Sequence, residues 1–157
     1  MRTEHPSIAH VRRELERRGA TGEVRVFDSP VRTAADAAAA LGCEVGAIAN
    51  SLIFDADGSP LLILTSGAHR VDTAKVANRL AVEHLAKASP EFVRQHTGQV
   101  IGGVAPVGHA KAIPTYIDPW LSKHESIWAA AGHPDAVFST TFDELIRITG
   151  AMQLEVE

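Results

Sequence analysis

Nine consecutive residues, Ile101-Gly102-Gly103-Val104-Ala105-Pro106-Val107-Gly108-His109, hold three glycines, a proline and a histidine. Glycine and proline are the poorest helix formers, so this stretch reads as a loop. Glycine has no Cβ and reaches φ > 0, which lets bare main chain come close to a ligand, and Pro106 fixes the return of the chain. Such a loop can present N–H groups to an oxyanion. On composition alone, a tight turn between strands is the alternative. Other reactive patterns are sparse. No Gly-Lys-Ser/Thr follows the loop and Gly-x-Gly-x-x-Gly is absent, so neither a P-loop nor a dinucleotide fingerprint is present. Eight histidines are scattered without metal-ligand spacing, and no Gly-x-Ser-x-Gly elbow occurs. No metal and no cofactor are expected. Cys43, the single cysteine, excludes an internal disulfide and sits among apolar residues at a helix end, the setting of a small buried hydrophobe rather than a nucleophile.

The elements that must hold this loop follow from periodicity and caps. Pro6-Ser7 opens a helix with Ile8, Val11 and Leu15 on one face, ended by Gly19. Glu23 to Phe27 is a short strand broken by Ser29-Pro30, and Thr33 with Asp36 forms a capping box for an alanine-rich helix ending at Leu41. Ser51–Phe54 and Pro60–Thr65 flank Asp57-Gly58, a hairpin signal, and the second run is apolar on both faces, so it is central. Asp72 caps a helix carrying Val76, Ala77 and Leu80. Ser89-Pro90 opens another, closed by Gly98, and Val100-Ile101 is expected to enter the loop as a strand. Strands at 113–117, 126–130 and 136–139 follow, then a Thr141/Glu144 capping box, a helix to Gly150, and a terminal strand through Met152, Leu154 and Val156. The expectation is a single α/β domain over 1–157, with hairpins and helices interleaved in a mixed sheet.

Composition bounds the partners. The chain has 157 residues, 45% hydrophobic and 22% charged, ordinary for a globular domain with a real core. Lys plus Arg number 15 against 19 Asp plus Glu, a net charge of −4. That argues against gripping a long nucleic acid unaided, since phosphate contacts dominate such affinity, but leaves contact with one RNA end open. Met1 to Gly19 is charged and lacks the apolar core of a secretory signal, and no apolar run approaches the roughly 20 residues of a membrane span. A cytoplasmic protein without a membrane partner is expected.

Five stretches in order carry a resemblance: Thr33-Ala-Ala-Asp-Ala-Ala; Leu41-Gly42-Cys43; Ile48-Ala49-Asn50-Ser51-Leu52-Ile53-Phe54; Ser66-Gly67-Ala68-His69-Arg70-Val71-Asp72; and Gly102 to His109. Together they resemble the YbaK/EbsC family of aminoacyl-tRNA deacylases, related to the editing domain of bacterial prolyl-tRNA synthetase. The resemblance implies a mixed sheet curled into a partly closed barrel with surrounding helices. It implies hydrolysis of the ester joining a wrong amino acid to the terminal adenosine of a tRNA. The family's Gly-x-x-x-Pro loop corresponds to Gly102 and Pro106, and the N–H groups of Gly102, Gly103 and Val104 would bind the ester carbonyl as it becomes an oxyanion. The attacking group would be a water, or a hydroxyl or thiol of the substrate. Active members usually carry a lysine where this chain has Asn50, which offers neutral donors and one acceptor instead of a point charge.

The expected site is therefore Asn50 with Gly102, Gly103 and Val104 for catalysis, and Ser51, Ser66, Asp72, Pro106, Gly108, His109 and His133 for substrate binding. Asp72 is a helix cap first. His69 and Arg70 can meet phosphate from a loop rim or stand simply solvated. The partner is the acceptor end of an aminoacyl-tRNA, with an aminoacyl-tRNA synthetase as a second candidate. Two rival readings are a binding module that holds an aminoacyl-adenosine-like ligand or a partner without turnover, and a hydrolase of another small ester or amide.

Overall fold

The computed structural model describes residues 4–29 and 31–157; Pro30, expected to break the first strand, lies outside them. Eight strands form one mixed sheet in the order β1-β7-β6-β2-β3-β5-β8, with β4 added to β2. They are β1 (Val24–Val26), β2 (Ile48–Ala56), β3 (Ser59–Ser66), β4 (Leu85–Lys87), β5 (Thr115–Ile117), β6 (Ile127–Ala130), β7 (Ala136–Thr140) and β8 (Met152–Gln153). The path is open, since β1 and β8 stand at its two ends. The helices are α1 (Pro6–Arg17), α2 (Ala34–Leu41), α3 (Thr73–Leu80), α4 (Pro90–Thr97) and α5 (Phe142–Thr149). This is the mixed α/β architecture that the patterning predicts.

The local chemistry shows why the elements begin and end where they do. Thr33, Asp72, Ser89 and Thr141 each accept a hydrogen bond from an N–H in the first turn of the helix they precede. Asp57 and Gly58 both have positive φ, 51° and 93°, as a two-residue hairpin turn requires. The Asp57 carboxylate then accepts from the N–H groups of Glu83 and His84 at 3.0 and 2.9 Å, and these bonds hold it below the usual carboxylate range. So the hairpin tip also anchors the start of β4, a strand that sequence patterning does not predict.

β3 is central as expected, buried from Leu61 to Ser66 between β2 and the parallel β5. The main core lies under one face of the sheet and joins Val11 and Leu15 of α1, Leu62 and Leu64 of β3, and Leu145 and Ile148 of α5. One expectation fails. Val100-Ile101 is a turn, closed by the Gly103 N–H donating to the Val100 carbonyl at 3.0 Å, and the two side chains are 38% and 53% exposed. Adjacent apolar residues suggested a strand, but no neighbouring strand offers them a ladder.

Candidate active site

Along one edge β2 pairs with β3 continuously, from Ala49 opposite Ser66 to Ala56 opposite Ser59. Along the other it pairs with β6 only at Ile48 and Ala49, and with β4 only from Phe54 to Ala56. Residues 50–53 therefore border a slot in the sheet. A cavity of about 290 Å³ occupies it, reached from both faces of β2. Side chains alternate along a strand. Ala49 and Ile53 join Val93, Val104 and Ala129 on one face, while Ile48 packs with Ala37 and Ala38 of α2 on the other. Asn50 shares the α2 face and the Gly102–Val104 segment the opposite one, so the two meet the cavity from opposite sides.

Four of the expected residues line this cavity: Asn50, Ser51, Gly102 and Val104. Among the described residues the Asn50 amide has no hydrogen-bond partner, so its donors and acceptor are open. The N–H groups of Gly102 and Val104 are likewise unbonded within the described residues, and Gly102 takes φ +86°. Gly103 departs from expectation. Its N–H is used by Val100, it is buried, and it does not line the cavity. A Cβ on Gly103 would stand 2.6 Å from the His133 carbonyl carbon, so glycine there permits the loop to press against the His133-Pro134 main chain. Ser51 lines the cavity, yet its Oγ is buried without a partner. No carboxylate or imidazole lines the cavity to act as its base.

The remaining expected residues are placed elsewhere. Pro106, Gly108 and His109 line a second depression of about 220 Å³ with Arg18 and Lys111, because the chain turns away from the slot after Val104. His109 Nε2–H donates to the Ala105 carbonyl at 2.7 Å. Burial pushes its pKa down, with a smaller contribution from Arg18, while the bond to Ala105 acts the other way. His133 reaches the cavity only through its neighbour Pro134. Its Nδ1 accepts from the Asp135 N–H at 3.1 Å and its ring packs on His5. Ser66 is buried and donates to the Gly46 carbonyl at 2.8 Å, and Asp72 caps α3. His69 is bound rather than solvated: Nδ1 lies 2.8 Å from the buried Asp118 carboxylate, beside Trp120.

Three residues that matter here were not singled out from the sequence. Gln99 is buried; its Oε1 accepts from the Ala105 N–H at 2.8 Å and its Nε2 donates to the Val107 carbonyl at 3.1 Å. It clamps the second half of the loop. Arg32 and Lys87 are exposed at the cavity, and neither forms an ion pair among the described residues. Lys87 is opposite Phe54, on Asn50's face of the sheet. A buried glutamine just before a glycine-rich loop was a legible signal, whereas Lys87 depends on β4.

No Asp, Glu, His or Cys lines the cavity, and among the described residues no group of three or more such side chains is arranged to hold a metal ion. The burial-raised pKa of Cys43 fits an inert thiol. The arrangement can therefore bind and polarise an acyl group by main-chain donors in a largely apolar slot, and no carboxylate or imidazole lines it to activate the hydroxyls of Thr33 or Ser51.

Residues 28–148 match the family described as "Aminoacyl-tRNA editing domain". The protein YwhH of Bacillus subtilis is 29% identical over 140 residues, 88% of each chain. The proline–tRNA ligase of Bacillus licheniformis is 39% identical over 93 residues, 59% of this chain but 16% of the ligase. Among solved structures, a "putative trans-editing enzyme for prolyl tRNA synthetase" superposes with a TM-score of 0.93 at 40% identity, covering 99% of both chains. With the family match spanning most of its length, this chain belongs to the aminoacyl-tRNA editing domain family.

Proposed function

We propose that the protein is a trans-editing hydrolase that removes a small, wrongly attached amino acid from the acceptor end of a tRNA. The observation that carries this reading is the slot beside β2, with the unbonded N–H groups of Gly102 and Val104 on one wall. Its volume lies at the low end of ligand pockets, which suits a short acyl group. Water adds to the ester carbonyl carbon, and the carbonyl oxygen gains charge facing those amides. The bond to the ribose oxygen then breaks and that oxygen takes a proton, leaving a free amino acid and an uncharged tRNA. Donors fixed at the site of developing charge are often the largest catalytic contribution, worth about 3–4 kcal/mol each. Asn50 offers an amide to the substrate or to the water from the opposite wall. Arg32 and Lys87 meet phosphates of the single-stranded acceptor end, supplying locally the positive charge that the acidic chain lacks overall.

Asn50, in place of the usual lysine, favours a second reading in which the slot holds an aminoacylated adenosine without turnover. One experiment separates the two. Purified protein is given proline tRNAs charged with alanine, serine, cysteine and proline, with a lysine-bearing relative in parallel. Release of one or more of the non-cognate amino acids well above the buffer rate, with prolyl-tRNA spared, is expected. Buffer-level rates on the whole panel beside an active relative would reject the editing reading. Hydrolysis that appears only in an Asn50→Lys variant would establish the binding reading.

A further inference from the structure

This inference rests on the editing reading and concerns how the same slot reads its substrate. Successive residues of a strand aim their main-chain groups at opposite edges. The Ile48 carbonyl accepts from the Gly67 N–H on the β3 side at 2.8 Å, whereas the Ile53 carbonyl accepts from the Ala88 N–H on the β4 side at 3.2 Å. Residues 49, 51 and 53 thus face the edge that β6 and β4 share. The β6 pairing ends at Ala49, opposite Ala129, and the β4 pairing begins at Phe54, opposite Lys87. Between them stand the Ser51 N–H, the Ser51 carbonyl and the Ile53 N–H. The β6 ladder stops short of these three groups and the β4 ladder begins beyond them, so neither ladder pairs them. Main-chain groups in a partly enclosed site are almost always paired, by protein, water or ligand. The Ser51 hydroxyl is itself buried without a partner, so the side chain offers the cavity no accessible polar atom.

We propose that the aminoacyl group docks on this edge as a single added strand residue. Its α-ammonium donates to the Ser51 carbonyl, and its ester carbonyl accepts from the Ser51 N–H. An α-amino ester carries one donor and one acceptor at the spacing of a residue, the complement of what Ser51 presents. Two opposed residues of an antiparallel ladder exchange the same pair of bonds. No carboxylate lines the cavity, so a carbonyl is the group available to receive the ammonium. The Gly102 and Val104 amides approach the ester carbonyl from the other wall. The slot therefore demands a free amino group. An acylated nitrogen has lost its charge and brings a bulky substituent against the strand edge, so peptidyl and N-formyl esters are refused.

The test uses the intact protein in two arms. In the first, alanine-charged proline tRNA is compared with the same material N-acetylated; acetylation is expected to slow release by about 100-fold, the size of a lost hydrogen bond to a charged group plus steric exclusion. In the second, ¹⁵N–¹H spectra are followed while adding 3′-alanylamido-3′-deoxyadenosine or its N-acetyl derivative. The amides of Ser51, Leu52 and Ile53 are expected to shift with the free amine and not with the acetylated compound. Equal hydrolysis of the two esters overturns the proposal and leaves editing intact. Shifts confined to residues away from β2, equal shifts with both compounds, or no shift with either also overturn it. Failure of every charged tRNA to be hydrolysed counts against editing, and the spectral contrast then decides the amino-group subsite by itself.

Discussion

The glycine-rich loop is two regions with opposite states of its main chain. From Gly102 to Val104 it borders the slot, and two of its three N–H groups are unbonded within the described residues. From Ala105 to His109 four main-chain groups are tied to side chains. Gln99 holds the Ala105 N–H and the Val107 carbonyl, His109 holds the Ala105 carbonyl, and His10 Nε2 lies 2.9 Å from the Gly108 carbonyl. An oxyanion site needs donors that are free yet fixed, since donors that must reorganise lose their advantage. The clamped half supplies the fixing and the open half supplies the donors.

The largest expected effect comes from moving the open half. Gly103→Ala places a Cβ 2.6 Å from the main chain of His133, where only a shift of the loop relieves the contact. We expect a loss of about 100-fold in kcat/KM for deacylation, the scale of a misplacement near 1 Å, and a stability loss of about 1–3 kcal/mol by overpacking. Gly102→Ala meets open space, and its cost is the left-handed backbone at φ +86°, about 1–2 kcal/mol. Steady-state kinetics and thermal unfolding of the two variants side by side check the ranking. A Gly103→Ala enzyme as active as Gly102→Ala would show that contact with His133 does not set the loop's position.

How far the sequence disclosed this site depends on whether its signals are local. Capping residues such as Thr33 and Thr141, the Asp57-Gly58 turn and the apolar β3 act within a few residues, and all are found where patterning puts them. The family resemblance brought Asn50, Ser51, Gly102 and Val104 forward, and these four meet at one cavity. The slot itself was invisible, because it is a gap between β6 and β4, and β4 is three residues held by the Asp57 side chain rather than by a pattern of its own. Motif membership also drew in Pro106, Gly108 and His109, which lie close to Gly102 in sequence yet line a different depression. Whether a glycine's N–H is free or taken, as at Gly102 and Gly103, is a property of the turn and not of the residue type.

A smaller effect is expected from loosening the clamped half. Gln99→Leu keeps the volume of the side chain while leaving the Ala105 N–H and the Val107 carbonyl buried without partners. Each unsatisfied group costs about 1–3 kcal/mol, so a total of about 2–6 kcal/mol and a fall in Tm of roughly 5–20 °C are expected. Deacylation should fall about 10-fold, mainly in kcat, because the donors at Gly102 and Val104 remain but lose their support. If Tm falls while kcat is unchanged, the two halves of the loop are independent and the comparison above is wrong.

The smallest effect tests the clamped half through pH. Burial pushes the His109 pKa below its ordinary value, so the unfolded chain takes up a proton more readily than the folded one. Stability linked to this group is then complete above the unfolded value, about 6.5, and is lost as pH falls from there through the folded pKa. The bond to the Ala105 carbonyl fixes which nitrogen carries the proton in the neutral ring: Nε2, since a carbonyl can only accept. His109→Gln can keep an N–H near that carbonyl and cannot titrate. Thermal unfolding between pH 7.5 and 5 should therefore show a steeper acid loss for the wild type than for the variant, while the two deacylate at the same rate at pH 7.5. A rate that drops in the variant at pH 7.5 would instead place His109 in the chemistry of the slot, which its position on the far side of the loop opposes.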